Sequence, residues 1–251
     1  SPKQVTDQCA NRKYLRVRAP SGNQPASRFW QDHKGGYWLD PADPNVRQYL
    51  FSFSKKMIDL GFDELQFDYI RFPSDGDVEK ARYPSWDGKI PKYAVMKSFF
   101  HDLGAALRAY KPDIILSADF FGYVALRLGD VGIGQRLEDI GNTFDYISFM
   151  VYPSHYYSGL FVQADPARNV PAVNFDAKQV RAYPDMTVER SLQSARDFLD
   201  GIMQIPTVMS GTSTATTARI ATTTKELLRA RAETRSRVRL RPWLEDFFHE
   251  Q

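Results

Sequence analysis

The chain has 251 residues, 43% of them hydrophobic and 25% charged, with a formal net charge of +3. This balance excludes global disorder, a coiled coil and a polycation of the kind that wraps nucleic acid, and it leaves enough apolar material for a sizeable core. One cysteine, Cys9, permits neither an internal disulfide nor a Cys-based zinc site, and no stretch approaches the roughly 18 uninterrupted apolar residues of a membrane helix.

The length suits one (β/α)8 barrel, which typically takes about 250 residues, and would also allow two small domains. The chain begins at Ser1 without a basic and apolar leader. A signal peptide is therefore either removed or outside the sequence, and the compartment is left open, with an extracytoplasmic or secreted setting favoured. Charge is uneven. Residues 219 to 241 hold eight basic residues against Glu226 and Glu233, a local +6 that leaves −3 for the rest. Such a run reads as a solvated helix face, with contact to an anionic polymer as the alternative.

Residues 1–36 are polar and turn-rich, and only Tyr14 to Ala19 alternates like a strand. Asp43-Pro44 then opens a helix, with Asp as N-cap and Pro in the first helical position. Val46, Tyr49, Leu50, Phe53, Met57 and Leu60 recur at helical spacing, and Gly61 stops the run. Phe62 to Ile70 reads as a buried strand, followed by a loop rich in Pro, Ser, Asp and Gly. A helix from about Lys92 to Tyr110 carries Met96, Phe99, Leu103, Leu107 and Tyr110 on one face and is ended by Pro112; a strand follows at Ile114 to Asp119. Residues 123 to 140 are broken by glycines, and their Gly-Ile-Gly at 132–134 is too short for a phosphate loop. A strand at Tyr146 to Tyr152 leads into a long aromatic and polar loop. A helix from about Thr187 to Asp200 is expected to bury Val188, Leu192, Ala195 and Leu199. A short strand at 205–209, a Thr-rich tract at 210–224, a helix at 225–235 and a last strand at 237–247 complete the chain. Alternating helices and strands predict a parallel sheet covered by helices, either a (β/α)8 barrel or a doubly wound sheet.

Side chains alternate across a strand, so one parity turns inward. Leu65, Phe67 and Tyr69 form the apolar set of the first strong strand, which points Gln66 and Asp68 inward. The same rule points Ser117 and Asp119 inward, then Ser148, Met150 and Tyr152, then Arg241, Trp243 and Glu245. Four strands thus carry an acid or a tyrosine near their C-terminal ends, where active sites of barrels lie. Asp63, Glu64 and Asp145 fall at the opposite ends and read as structural.

Several segments are more specific. Gly61-Phe-Asp-Glu-Leu-Gln-Phe-Asp-Tyr-Ile-Arg-Phe-Pro-Ser-Asp-Gly76 resembles the signature of a bacterial glycoside hydrolase family catalogued as DUF4015. Leu116-Ser-Ala-Asp-Phe-Phe-Gly122, Gly134-Gln-Arg-Leu-Glu-Asp-Ile140 and Phe144-Asp-Tyr-Ile-Ser-Phe-Met-Val-Tyr-Pro-Ser-His-Tyr156 resemble it in the same order. Trp38-Leu-Asp-Pro41 is similar to an element before the first matched helix. Arg241-Pro-Trp-Leu-Glu-Asp-Phe247 is similar to the late strand, with Glu245 where the family usually has Gln. The resemblance implies an α/β chain with a TIM-type (β/α)8 barrel. With six strand candidates, a barrel incomplete at one or both ends is the expectation, with an insertion around 157–236. Residues 37–251 are expected to form a single barrel-type catalytic domain after the polar N-terminal segment 1–36.

It also implies hydrolysis of a glycosidic bond in a polysaccharide or oligosaccharide. That chemistry takes two carboxyl groups, one protonated and one ionised. Asp68 is expected as nucleophile or charge stabiliser, and Asp119 or Glu245 as the acid. Arg71, Tyr69, Tyr152, His155, Tyr156, Trp38 and Trp243 are the expected substrate contacts. No metal or cofactor is implied. The alternatives are a carbohydrate-binding barrel without turnover, an envelope-associated interaction protein using the basic 219–241 segment, and a metal-dependent hydrolase built on Asp68, Asp119 and His155. The last lacks any HxH or HExxH spacing.

Overall fold

A computed structural model of the protein describes residues 16–17, 29–126, 129–140, 143–200 and 238–244. The expected elements at 205–209, 210–224 and 225–235, most of the basic segment and Glu245 lie outside the described residues. These residues divide into two compact units, one within Ser1–Asp119 and Gly129–Phe144, the other within Phe120–Leu128 and Asp145–Gln251.

In the first unit, β1 (Arg16–Val17) pairs antiparallel with β3 (Ala81–Arg82). The helix α1 (Pro44–Asp59) begins as its sequence demands: Asp43 Oδ1 accepts from the Asn45 amide at 2.8 Å, and Pro44 takes the first helical position. It ends in a Schellman arrangement. The Gly61 amide donates to Ile58 O at 2.9 Å and the Phe62 amide to Met57 O at 3.3 Å, with Gly61 at φ 96°. That reversal delivers the chain directly into β2 (Glu64–Phe67).

The helix α2 (Lys92–Tyr110) buries Val95, Met96, Phe99, Phe100, Leu103 and Leu107 on one stripe. Each such side chain contributes on the order of 1.5–3 kcal/mol when fully withdrawn from water. α1 and α2 are tied at the surface by Arg47, whose Nη1 meets Asp102 Oδ2 at 2.5 Å. The strand β4 (Ile115–Phe121) follows and pairs in parallel with β2, Glu64 against Ile115 through Phe67 against Ala118. The short helix α3 (Leu137–Ile140) closes this unit. Before it, Asp130 Oδ1 accepts from the amides of Gly132, Ile133 and Gly134, which accounts for the Gly-Ile-Gly run as loop architecture.

In the second unit, β5 (Tyr146–Met150) pairs in parallel with β8 (Arg239–Leu240), and a further bridge joins Met150 to Trp243. The stretch expected as a loop contains an antiparallel hairpin, β6 (Leu160–Val162) and β7 (Val173–Phe175). A six-residue helix, α4 (Ala177–Ala182), follows with a capping box between Asp176 and Gln179. The last helix, α5 (Pro184–Leu199), starts three residues earlier than expected because Pro184 suits its first position. Its buried residues are Thr187, Arg190, Ser191, Ser194, Ala195 and Asp197. Val188, Leu192 and Leu199, the expected inner face, are only half-buried. Internal bonds allow this: Ser191 Oγ donates to Thr187 O at 2.7 Å, and Arg168 holds Asp197 with both guanidinium ends. Among the described residues no helix is long and apolar enough to cross a membrane.

Candidate active site

The site is built where β2 ends. Phe67 is buried, Asp68 is exposed, and Tyr69 takes φ 53°, in the left-handed region. Regular alternation would place Tyr69 opposite Asp68, against the helices with Leu65 and Phe67. The left-handed residue ends the alternation instead. Asp68 and Tyr69 therefore line the same cleft, of about 320 Å³, together with Asp32, Trp38 and Arg71. Asp68 Oδ1 accepts from the Tyr69 amide at 2.7 Å, which fixes the turn.

Trp38 forms one wall. It is 7% exposed, and its Nε1 donates to Asp32 Oδ2 at 2.9 Å. That bond, with the amides of Gly36 and Lys34, holds the Asp32 carboxyl below the usual carboxylate range against a smaller opposing effect of burial. The edge of Tyr69 meets Trp38 at a centroid distance of 5.7 Å. The Arg71 guanidinium carbon lies 5.1 Å from each of these two rings. Its Nη1 donates to Phe72 O and Ser74 Oγ, both at 3.1 Å. Burial pushes the Arg71 guanidinium below its ordinary value, and Tyr69, Asp75, Asp68 and Asp32 oppose that shift.

Asp119 belongs to the same unit. It is 5% exposed, and Gln66 Nε2 donates to its Oδ1 at 2.5 Å. Gln66 pairs with Ser117 in the ladder, and Ser117 Oγ donates to Glu64 Oε1 at 2.7 Å, so Glu64, Gln66, Ser117 and Asp119 share one face. Gln135, fully buried, donates through Nε2 to Asp119 O at 3.2 Å and to Ile70 O at 3.5 Å. It thereby ties the backbone of Asp119 to that two residues beyond Asp68. Neither Gln66 nor Gln135 stood out in the sequence as a site residue. The available signal for Gln135 was a polar residue directly after Gly134 in a family-like segment. Asp63 pairs with Lys111 at 2.7 Å.

The remaining expected contacts lie in the second unit. Tyr152 is half-buried, and its ring meets His155 edge-on at 5.2 Å, with His155 exposed. Trp243 is 47% exposed. Tyr156 is 1% exposed, its hydroxyl 3.1 Å from Ser191 Oγ and 3.4 Å from Gly122 O, its ring 4.9 Å from that of Tyr123. Burial pushes the Tyr156 hydroxyl pKa up. A residue expected as a sugar platform thus packs in the core of its unit. Glu245 lies outside the described residues. Among the described residues no group of three His, Cys, Asp or Glu could hold a metal ion.

Parallel strands with helices between them define a mixed α/β protein. The profile of the family described as "Putative glycosyl hydrolase domain", DUF4015, matches residues 7–251, and the chain belongs to that family.

Among solved structures, a hypothetical protein from Ruminiclostridium thermocellum is 31% identical over 42% of this chain and 47% of its own, with a TM-score of 0.31. A GH18 chitinase from Cycas revoluta in complex with (GlcNAc)3 is 20% identical over 62% of this chain and 40% of its own, TM-score 0.35. The glycoside hydrolase domain of PelA from Pseudomonas aeruginosa is 12% identical over 75% of this chain and 56% of its own, TM-score 0.35. The chain spans about half the length of these structures. No curated protein matches it.

Proposed function

We propose that the protein is a glycoside hydrolase that cleaves a polysaccharide or oligosaccharide with two carboxyl groups, Asp68 and Asp119. One observation carries this reading. The parallel register pairs Phe67 with Ala118, so the next position on each strand is Asp68 on one and Asp119 on the other. Adjacent strands lie about 4.8 Å apart. Two acids at neighbouring strand ends support a two-carboxyl mechanism, retaining if the carboxyl groups stand about 5–5.5 Å apart and inverting if about 6.5–9.5 Å. Membership of a glycosyl hydrolase family supports the same chemistry.

Asp119 is withdrawn from water and Asp68 is exposed. A carboxyl in a water-poor site suits the general acid, and one in a polar site suits the ionised partner. Asp119 therefore protonates the leaving oxygen, and Asp68 attacks the anomeric carbon. Water then releases the sugar, with Asp119 acting as base. Gln66 and Gln135 orient Asp119. Trp38 and Tyr69 offer ring surface to the sugar.

The test is cleavage of bacterial envelope and exopolysaccharide glycans, with product analysis, by the full chain and by Asp68→Asn and Asp119→Asn. Loss of cleavage in both folded variants supports the pair. Full activity in either removes that residue from the mechanism. Glycan binding without turnover by the unmodified protein would favour a carbohydrate-binding protein instead.

A further inference from the structure

A cation withdrawn from water is costly unless an anion or several acceptors meet it. Arg71 is half-buried, and the rule bears on it through its Nε. Its Nη1 is satisfied by Phe72 O and Ser74 Oγ. Its Nε is buried and has no hydrogen-bond partner among the described residues. Asp32, Asp68 and Asp75 act on it from a distance, yet none closes an ion pair with it.

The two acids that share the cleft are engaged elsewhere. Asp32 accepts from Trp38 Nε1 and the Gly36 amide, and Asp68 from the Tyr69 amide. Trp38 and Tyr69 flank the guanidinium, each ring centre 5.1 Å from its carbon. Nε and Nη2 form the side fork of a guanidinium, the edge that meets a carboxylate with two parallel hydrogen bonds. Lysine has no equivalent of that fork.

We propose that Arg71 is the specificity-determining residue of this cleft, and that the glycan it takes is acidic, with a sugar carboxylate docked on the Nε/Nη2 fork. The ligand class is a uronic acid or an equivalent carboxylated sugar. Its ring lies against Trp38 or Tyr69, and its carboxylate supplies the acceptor that the fold leaves out. This rests on the reading of the cleft as the substrate site.

The experiment uses the full chain carrying Asp68→Asn, which blocks turnover. Calorimetric titration compares oligomers of glucuronate, galacturonate and mannuronate with the same oligomers after carboxyl reduction and with sulfated neutral oligomers. At least one uronate series is expected to bind about tenfold or more tighter than its reduced counterpart, less so at high salt. Adding Arg71→Gln should remove that preference, and Arg71→Lys should remove most of it. The lysine variant keeps the charge and so covers a failure of the glutamine variant to fold. The proposal is overturned if no uronate is preferred, if the preference survives Arg71→Gln, or if sulfated oligomers are preferred to uronates. The hydrolase reading is judged separately, by product release from the unmodified chain. Cleavage of neutral and acidic glycans alike removes the acidic-sugar proposal and keeps the hydrolase. Uronate binding without cleavage does the reverse.

Discussion

Asp68 and Asp119 are the same residue type in different surroundings, and removing each should fail differently. Asp119→Asn is expected to lower kcat by about 10²–10⁴-fold on a glycan with a poor leaving group. The loss should be much smaller on an aryl glycoside, whose leaving group needs little protonation. Asp68→Asn should abolish turnover on both. Steady-state kinetics on the two substrate types checks the assignment, and equal losses would put Asp119 outside the acid role. Gln135 makes a subtler case. Gln135→Met keeps the volume and removes the donor to Asp119 O and Ile70 O. Two buried carbonyls then lose a partner, at about 1–3 kcal/mol each. A lowered urea midpoint together with a lower kcat at unchanged KM is expected. A stability change without the kinetic one would make Gln135 a packing residue.

Elements in this chain depend on a few positions where backbone geometry leaves little choice. Gly134 has φ 81°, and a Cβ there would lie 2.5 Å from Met96 Cγ and 3.0 Å from Lys92 O. The loop before α3 can pack on α2 only because that Cβ is missing. Gly134→Ala is expected to cost about 2–4 kcal/mol through left-handed strain and overpacking, read from urea unfolding. The strongly periodic elements were legible in the sequence. α1 and α2 keep their expected bounds within a residue or two, β2 and β5 lie inside the expected spans, and β4 runs two residues past its own. The expected stripe of α1 is only partly the buried one: Val46 is buried, but Tyr49, Phe53 and Leu60 are exposed, and Ser54 and Ile58 take the inner side. The hairpin of β6 and β7 was not legible, because strands of three residues are too short to show alternation. The buried side of α5 was misread for a different reason. Hydrophobic spacing finds apolar faces, and this helix buries hydroxyls and a carboxylate that bond within the fold. At the candidate site, strand parity points to Asp68 and Asp119 as the acids of the two neighbouring strand ends. It put Tyr69 on the wrong face, since parity assumes extended backbone and residue 69 is not extended.

For the folded chain as a whole, acid is the informative perturbation. Trp38 holds Asp32 low, and a lysine beside each of Asp59, Asp63, Asp77 and Asp87 does the same. A carboxyl depressed in the folded state contributes stability above its unfolded value, near 3.9, and loses it as pH falls through the folded value. The melting temperature should therefore fall below about pH 4. Asp40 works the other way: burial raises it, so its protonation during acidification favours the fold. Asp32→Asn should shallow the acid limb of a melting-temperature profile between about pH 2.5 and 7, and an unchanged limb would show that the Trp38 bond adds no pH-dependent stability.

Tyr69 is one of two non-glycine residues at positive φ among those described, and it is 57% exposed. An L-residue held there costs on the order of 1–2 kcal/mol, while glycine is tolerant of it. The side chain is more exposed than buried, and its contacts are with Trp38 and Arg71 of the cleft, so fold stability alone gives limited reason to keep it. Selection for a robust fold and selection for a grip on the ligand then pull this one position apart. A library randomised at residue 69 should settle on glycine or asparagine when sorted for heat resistance. Sorted for glycan binding, it should settle on an aromatic, and the first population should melt at or above the parent while binding sugar less well.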